Sequence, residues 1–260
     1  MNFLETIIKE KKDFVKQTKE KLSQKELIDK VKTITSKPRF KQILKKSPLH
    51  LIAEIKRASP SKGDIRKDLD VIKIAKIYEG EGVELVSVLT EEKFFKGRLE
   101  DLSKVKENTK LSILCKDFII DQYQIYEAKL YGAEAVLLIA RILSEKQLKD
   151  FIAIAREIDI DTLVEIHDED DLEKIINLDA DIIGINHRNL EDFSIDLKIS
   201  QDLLPKIPKG KIVIVESGIE SAKQIKYYKE IGFNGVLIGE SLMRQEDIRV
   251  KLQEFISAAR

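Results

Sequence analysis

From Leu49 to the C-terminus, short apolar runs alternate with longer amphipathic stretches, and the alternation repeats eight times. The runs fall at 49–56, 83–89, 111–116, 135–139, 162–166, 181–186, 211–216 and 235–238, short enough for strands buried on both faces. Between and after them, apolar residues at helical spacing mark helices near 70–80, 99–107, 121–131, 144–157, 169–177, 196–204, 220–231 and 246–259. Strict alternation with short links predicts an α/β chain, a (β/α)8 TIM barrel, with a doubly wound open sheet as the second possibility. A barrel of this kind commonly occupies about 250 residues, so 1–260 is read as one domain, with 1–48 as an N-terminal helical extension. Within the extension a single helix is expected from 2 to about 34, capped by Asn2. Ser36-Lys37-Pro38 breaks it, a short helical piece follows at 39–44, and Ser47-Pro48 ends the preamble.

The punctuation agrees with the periodicity. Asp121, Ser144 with Gln147 three residues on, and Ser221 stand where helix caps belong. Gly80, Gly82, Gly132 and Gly232 stand where helices end.

Composition narrows the partners. Lys+Arg and Asp+Glu both number 46, so the net charge is zero and nothing marks a nucleic-acid or anionic-membrane surface. Cys115 is the only cysteine, which excludes an internal disulfide and a cysteine-based metal cluster. No apolar run approaches the roughly 18 residues of a membrane span, and the N-terminus lacks a leader pattern. A cytoplasmic protein acting on a small molecule, as a monomer or weak oligomer, is the expectation.

The chemistry gathers at the strand tips. Side chains two apart share a face of a strand. Ile52, Glu54 and Lys56 therefore face one way in the first strand, and Leu51, Ala53 and Ile55 the other. The same split puts Lys116, Glu165, Asn186 and Glu216 on the inward face of later strands, at the C-terminal mouth. Two lysines, three glutamates and an asparagine in one confined mouth are acid–base equipment. One such residue in so charged a chain ordinarily points into water; six at matching register fit that account poorly. The loop that follows the first strand, through Ser59 to Gly63, has no evident reason to pack and suits a mobile flap over an anion. After the seventh and eighth strands, Ser217-Gly218 and Gly239-Glu240 either bind phosphate through backbone N–H groups or simply turn the chain.

These motifs together resemble the indole-3-glycerol phosphate synthase family. They are Glu54-Ile55-Lys56-Arg57-Ala58-Ser59-Pro60-Ser61-Lys62-Gly63, Leu89-Thr90-Glu91 with Phe94-Phe95-Lys96-Gly97, Lys116-Asp117-Phe118, Val164-Glu165-Ile166-His167, Gly184-Ile185-Asn186 with Arg188-Asn189-Leu190, and Glu216-Ser217-Gly218-Ile219. The resemblance spans essentially the whole chain, extension included. It implies a carboxy-lyase of tryptophan biosynthesis that closes the indole ring of 1-(2-carboxyphenylamino)-1-deoxyribulose 5-phosphate, losing carbon dioxide and water, with no cofactor and no metal.

Carried over by motif, the resemblance makes Lys116 the general acid, Lys56 the holder of the anthranilate carboxylate and a candidate acid for a later step, and Glu165 the base of the dehydration. Glu54 would orient the lysines and, with Asn186 and Glu216, hold sugar hydroxyls and stabilise charge. Ser59, Arg188, Ser217, Gly218, Gly239 and Glu240 would surround the phosphate, and Phe95, Phe118 and Leu137 would form the slot for the aromatic ring. Because the chain starts shortly before the family's first helix and stops after the eighth, no fused pathway enzyme is expected. His187 and Cys115 depart from the family's usual residues at their positions. His187, on the face opposite Asn186, and Cys115 read as structural; so does His50 at its strand's start, and His167, beyond its strand's end, reads as non-catalytic. The competing readings are another phosphate-binding barrel such as phosphoribosylanthranilate isomerase, whose Cys and Asp couple has no counterpart here, and an inactive barrel that serves as a binding protein.

Overall fold

The computed structural model describes residues 3–46 and 49–260. Among them, eight parallel strands close into a barrel: β1 (His50–Ile55), β2 (Leu85–Leu89), β3 (Ser112–Lys116), β4 (Ala135–Ile139), β5 (Asp161–Ile166), β6 (Ile182–Asn186), β7 (Ile212–Glu216) and β8 (Gly235–Ile238). Each pairs with its neighbours in sequence and β8 closes on β1. The open-sheet alternative is thereby set aside.

The period-two pattern divides the core into two shells. Ile52, Leu85, Leu114, Leu137, Leu163, Ile182, Ile214 and Leu237 fill the barrel, while Ala53, Val86, Ile113, Val136, Val164, Ile183, Val215 and Val236 pack outward against the helices. The outer ring is α4 (Val71–Gly80), α5 (Glu100–Asn108), α6 (Gln122–Leu130), α7 (Glu145–Glu157), α8 (Glu169–Ile175), α9 (Ile199–Leu203), α10 (Ala222–Glu230) and α12 (Ile248–Ala259). Asp121, Ser144 and Ser221 each form a reciprocal capping box with a glutamine three residues on. A short α11 (Glu240–Met243), which the periodicity did not announce, follows β8 directly.

The extension differs from expectation. It is two helices, α1 (Phe3–Lys21) and α2 (Gln24–Val31), because Ser23 and Glu26 form a capping box that restarts the chain. The Asn2 cap and the Ser47-Pro48 stop lie outside the described residues. α2 lays Leu27 and Val31 on Tyr123 and Tyr126 of α6. The third helix, α3 (Phe40–Leu44), plugs the N-terminal end of the barrel with Phe40, Ile43 and Leu44. At five residues it is too short to be stable alone. Burial of its apolar side chains, each contributing about 1.5–3 kcal/mol, holds it, with Lys41 N–H donating to Asp161 at 2.9 Å.

The loop after β1 is also better packed than its composition suggests. Ala58–Ser59 pairs antiparallel with Gly63–Asp64, and Ala58 and Ser59 are buried. Gly63 (φ +64°) supplies the turn.

Candidate active site

At the C-terminal mouth the strand tips surround a cavity of about 810 Å3. Glu54 and Lys56 reach it from β1 and the residue after it, Lys116 from β3, Glu165 from β5, Asn186 from β6 and Glu216 from β7. Ser59, Phe95, Phe118, Leu137, Arg188, Ser217, Gly218, Gly239 and Glu240 line the same cavity. The six strand-tip residues and these nine motif residues thus meet in one place.

The ion pairs divide the polar residues into two sets. Lys56 Nζ lies 2.7 Å from Glu54 Oε1. Lys116 Nζ lies 2.7 Å from Glu165 Oε2 and 2.6 Å from Glu216 Oε2. Direct pairing by Glu54 holds Lys56, and Lys116 is held directly by the other two carboxylates, with the Glu54 charge acting on it from farther away. Two glycines make this possible. A side chain at Gly184 would run into Glu216 Oε1, and a Cβ at Gly239 would stand 2.9 Å from that of Glu54. Gly239, whose φ is an ordinary −125°, is small because a carboxylate sits against it.

Burial and charge set the protonation. Burial works against the charged form of Lys116, but the charges of Glu165, Glu216 and Glu54 outweigh it and raise its pKa. Burial likewise opposes ionised Glu165, yet Lys116 and then His167 hold its carboxyl well below the usual range. Glu216 goes the other way: burial and the charge of Glu165 push it up to about 7 against the pull of Lys116. At neutral pH the site thus holds a protonated lysine, an ionised glutamate and a glutamate near its midpoint.

Beside this set lies an anion-shaped corner. Ser217 (φ +68°) and Gly218 (φ +73°) are successive left-handed residues, a turn of the kind whose N–H groups make anion concavities. The strain at Ser217 is held by His187, buried on α10's side with Nδ1 2.9 Å from the Ser217 carbonyl oxygen, so this nitrogen carries the proton. Ser59 Oγ is buried without a protein partner. Arg188 Nη1 reaches Ser61 Oγ at 3.4 Å, tying the loop after β1 to the loop after β6.

The apolar wall is Phe95, Phe118 and Leu137, with the two phenyl rings 6.3 Å apart and tilted. Glu91 fixes Phe95 by accepting the backbone N–H groups of Lys93, Phe94 and Phe95 at 2.7–3.0 Å. Phe94 instead meets Phe3, which also contacts Phe193 and lines the cavity, so α1 reaches over the mouth. Lys11 anchors that helix through a buried pair with Asp117, 2.7 Å.

Sequence reasoning missed Phe3, Arg244 and His167. Arg244 pairs with Glu240 at 2.8 Å and lines the cavity, but α11, which carries Glu240, gave no periodic signal in four residues. His167, read as non-catalytic beyond its strand's end, is buried 3.3 Å from Glu165. Cys115 is buried behind β3 with its thiol pushed up to about 12 by burial, a packing residue as expected. Among the described residues no group of three or more His, Cys, Asp or Glu is arranged to hold a metal ion.

The comparisons with known proteins place the chain in a family. The family model described as indole-3-glycerol phosphate synthase matches residues 4–255. The chain is 47% identical over 256 residues to the indole-3-glycerol phosphate synthase of Aliarcobacter butzleri, covering 97% of each chain. It is 46% identical to that of Caldanaerobacter subterraneus, covering 99% of this chain and 98% of the relative. The chain belongs to the indole-3-glycerol phosphate synthase family. It is accordingly an enzyme, a decarboxylating lyase of tryptophan biosynthesis. Among solved structures, the 3-hexulose-6-phosphate synthase of Salmonella typhimurium superposes with a TM-score of 0.64 at 14% identity, over 81% of this chain and 98% of that one. At that identity the likeness speaks for the barrel alone.

Proposed function

We propose that this indole-3-glycerol phosphate synthase family member converts 1-(2-carboxyphenylamino)-1-deoxyribulose 5-phosphate into indole-3-glycerol phosphate, carbon dioxide and water. The observation that carries this reading is the Lys116 ammonium, 2.7 Å from Glu165 and 2.6 Å from Glu216 in a cavity with an apolar wall and an anion corner. Lys116 protonates the ribulose carbonyl as the aromatic ring carbon attacks it. Lys56, steadied by Glu54, holds the carboxylate until it leaves as carbon dioxide. Glu165 takes a proton from the carbon next to the one that bears the hydroxyl, Lys56 gives a proton to that hydroxyl so that it leaves as water, and the new ring becomes aromatic. Asn186 and Glu216 hold the sugar hydroxyls and stabilise the developing charge.

The phosphate sits among Ser59, Arg188, Ser217, Gly218 and the backbone of Gly239 and Glu240. The orphaned Ser59 hydroxyl and the Arg188 guanidinium support that placement. The Glu240 side chain faces Arg188 at 3.6 Å and Arg244 at 2.8 Å, so its carboxylate is already neutralised there. Phe95, Phe118 and Leu137 clamp the anthranilate ring.

The protein works in the cytoplasm, as one barrel domain over 1–260 with 1–48 as its helical extension. No described helix is long and apolar enough to cross a membrane. A monomer or weak oligomer fits the few exposed large apolar side chains among the described residues, Ile176, Ile195, Leu197, Tyr227 and Val250. The test is fluorescence of the indole product formed by purified chain with chelator present and no added cofactor. Turnover is expected; folded protein that binds the substrate without turning it over would favour a binding role instead.

A further inference from the structure

A second buried charge cluster stands directly behind the site. His167, the first residue after β5, is 4% exposed, Asp171 2% and Glu165 1%. The His167 Nε2 lies 3.3 Å from Glu165 Oε1 and its Nδ1 3.4 Å from Asp171 Oδ2, ion-pair distances at which neither ring nitrogen makes an aligned hydrogen bond. Asp171, in the first turn of α8, also accepts the His167 backbone N–H at 3.1 Å. Arg141 Nε and Lys174 Nζ approach Asp171, both at 3.5 Å. Arg141 also pairs with Asp168, the cap of α8. On the other side, the remaining oxygen of Glu165 holds Lys116, which in turn meets Glu216.

A neutral imidazole has one N–H and one lone pair, so against two carboxylates one of its nitrogens would face like charge. Only the imidazolium is attracted to the carboxylates on both sides. We propose that His167 is a positioning residue for the reaction: as a buried imidazolium between Asp171 and Glu165 it binds Oε1 of Glu165 and leaves Oε2 as the oxygen that meets Lys116 and the substrate. The proposal rests on the role assigned to Glu165 above. Without His167 the Glu165 carboxylate is free to rotate and to offer both oxygens to Lys116. The base is then misplaced when the dehydration needs it.

The neighbouring charges agree. Burial disfavours the charged ring, but the nearby carboxylates of Asp171 and Glu165 outweigh it and raise His167 to about 9. Asp171 and Glu165 are the charged groups that act on the ring, with Arg141 and Lys174 beyond Asp171 and Lys116 beyond Glu165.

The test has two parts. In wild-type protein with 15N-labelled histidine, the His167 ring is expected to carry protons on both nitrogens at pH 7.5 and to titrate near pH 9; a neutral ring at pH 7.5 overturns the proposal. In kinetics, His167→Asn places its amide where Nδ1 was and strands Glu165, whereas His167→Gln places an amide near Nε2 and keeps a donor on Glu165. His167→Asn is expected to lose roughly 100-fold in kcat with KM within about threefold, the size of a misplaced group, and His167→Gln to recover most of it. Wild-type kcat in His167→Asn, or equal losses in both variants, overturns it. If wild type itself forms no indole product, the reaction reading fails, and the ring titration still decides whether an imidazolium stands between the two carboxylates. If His167→Asn does not fold, the titration and His167→Gln, expected within about tenfold of wild-type kcat, decide.

Discussion

Lys116 and Glu165, from strands β3 and β5, form an ion pair of 2.7 Å with Glu165 almost fully buried and Lys116 nearly so. The proposed acid and the proposed base thus share a hydrogen bond before any substrate arrives. Each sets the other's charge, which keeps the lysine protonated and the glutamate ionised at neutral pH.

Lys116→Ala is expected to abolish turnover while substrate affinity stays within about an order of magnitude, because the phosphate and ring contacts do not involve it. It also leaves Glu165 with only His167 beside it and Glu216 without its lysine, and a loss of about 3 kcal/mol is expected in urea unfolding. Equilibrium binding, steady-state kinetics and denaturation check the three parts, and near-wild-type turnover would refute the acid assignment.

Glu216 is expected to set the acid limb of the pH profile. Pushed up to about 7, it becomes neutral as the pH falls through that value and stops holding the Lys116 charge. kcat/KM is therefore expected to fall on the acid side of about pH 7, and Glu216→Gln should be slower and lack that limb. A limb unchanged in Glu216→Gln would assign it to another group.

Gly239→Ala and Gly184→Ala should each cost at least about 100-fold in kcat/KM, since the new methyl displaces Glu54 in one case and Glu216 in the other. Circular dichroism should show both variants folded. Full activity in either would mean that the carboxylates have room the close approach denies.

His167 links the site to stability with a definite sign. Its folded value of about 9 lies above the ordinary 6.5. The stabilisation is therefore present in full below about pH 6.5 and lost as the pH rises through about 9, with a limit of about 3 kcal/mol. The unfolding free-energy gap between wild type and His167→Gln should be wide at pH 6 and narrow at pH 10. A gap independent of pH would contradict a buried imidazolium.

The barrel and its mouth were legible because both depend on local periodicity. Apolar runs marked the strands, and the period of two placed Glu54, Lys56, Lys116, Glu165, Asn186 and Glu216 inward. What the residues did not disclose was pairing. Nothing local to Glu54 says that it takes Lys56 and leaves Lys116 to two strands far away in sequence.

The break at Ser23 was readable, since Ser23 and Glu26 have capping-box spacing, but the continuous apolar pattern hid it. The packing of Ser59 needed a hairpin of two residues per strand, too short to show alternation. His167 was invisible as a partner of Glu165 because it lies outside the strand, where the period of two no longer places a side chain.

The division of labour between Lys116 and Glu165 is tested most directly by a single turnover of limiting substrate that follows carbon dioxide release and indole fluorescence together, in Lys116→Ala and Glu165→Gln. The account predicts that Lys116→Ala stops both signals, and that Glu165→Gln releases carbon dioxide while indole fluorescence stalls. Both signals appearing together at the wild-type rate in Glu165→Gln would contradict it.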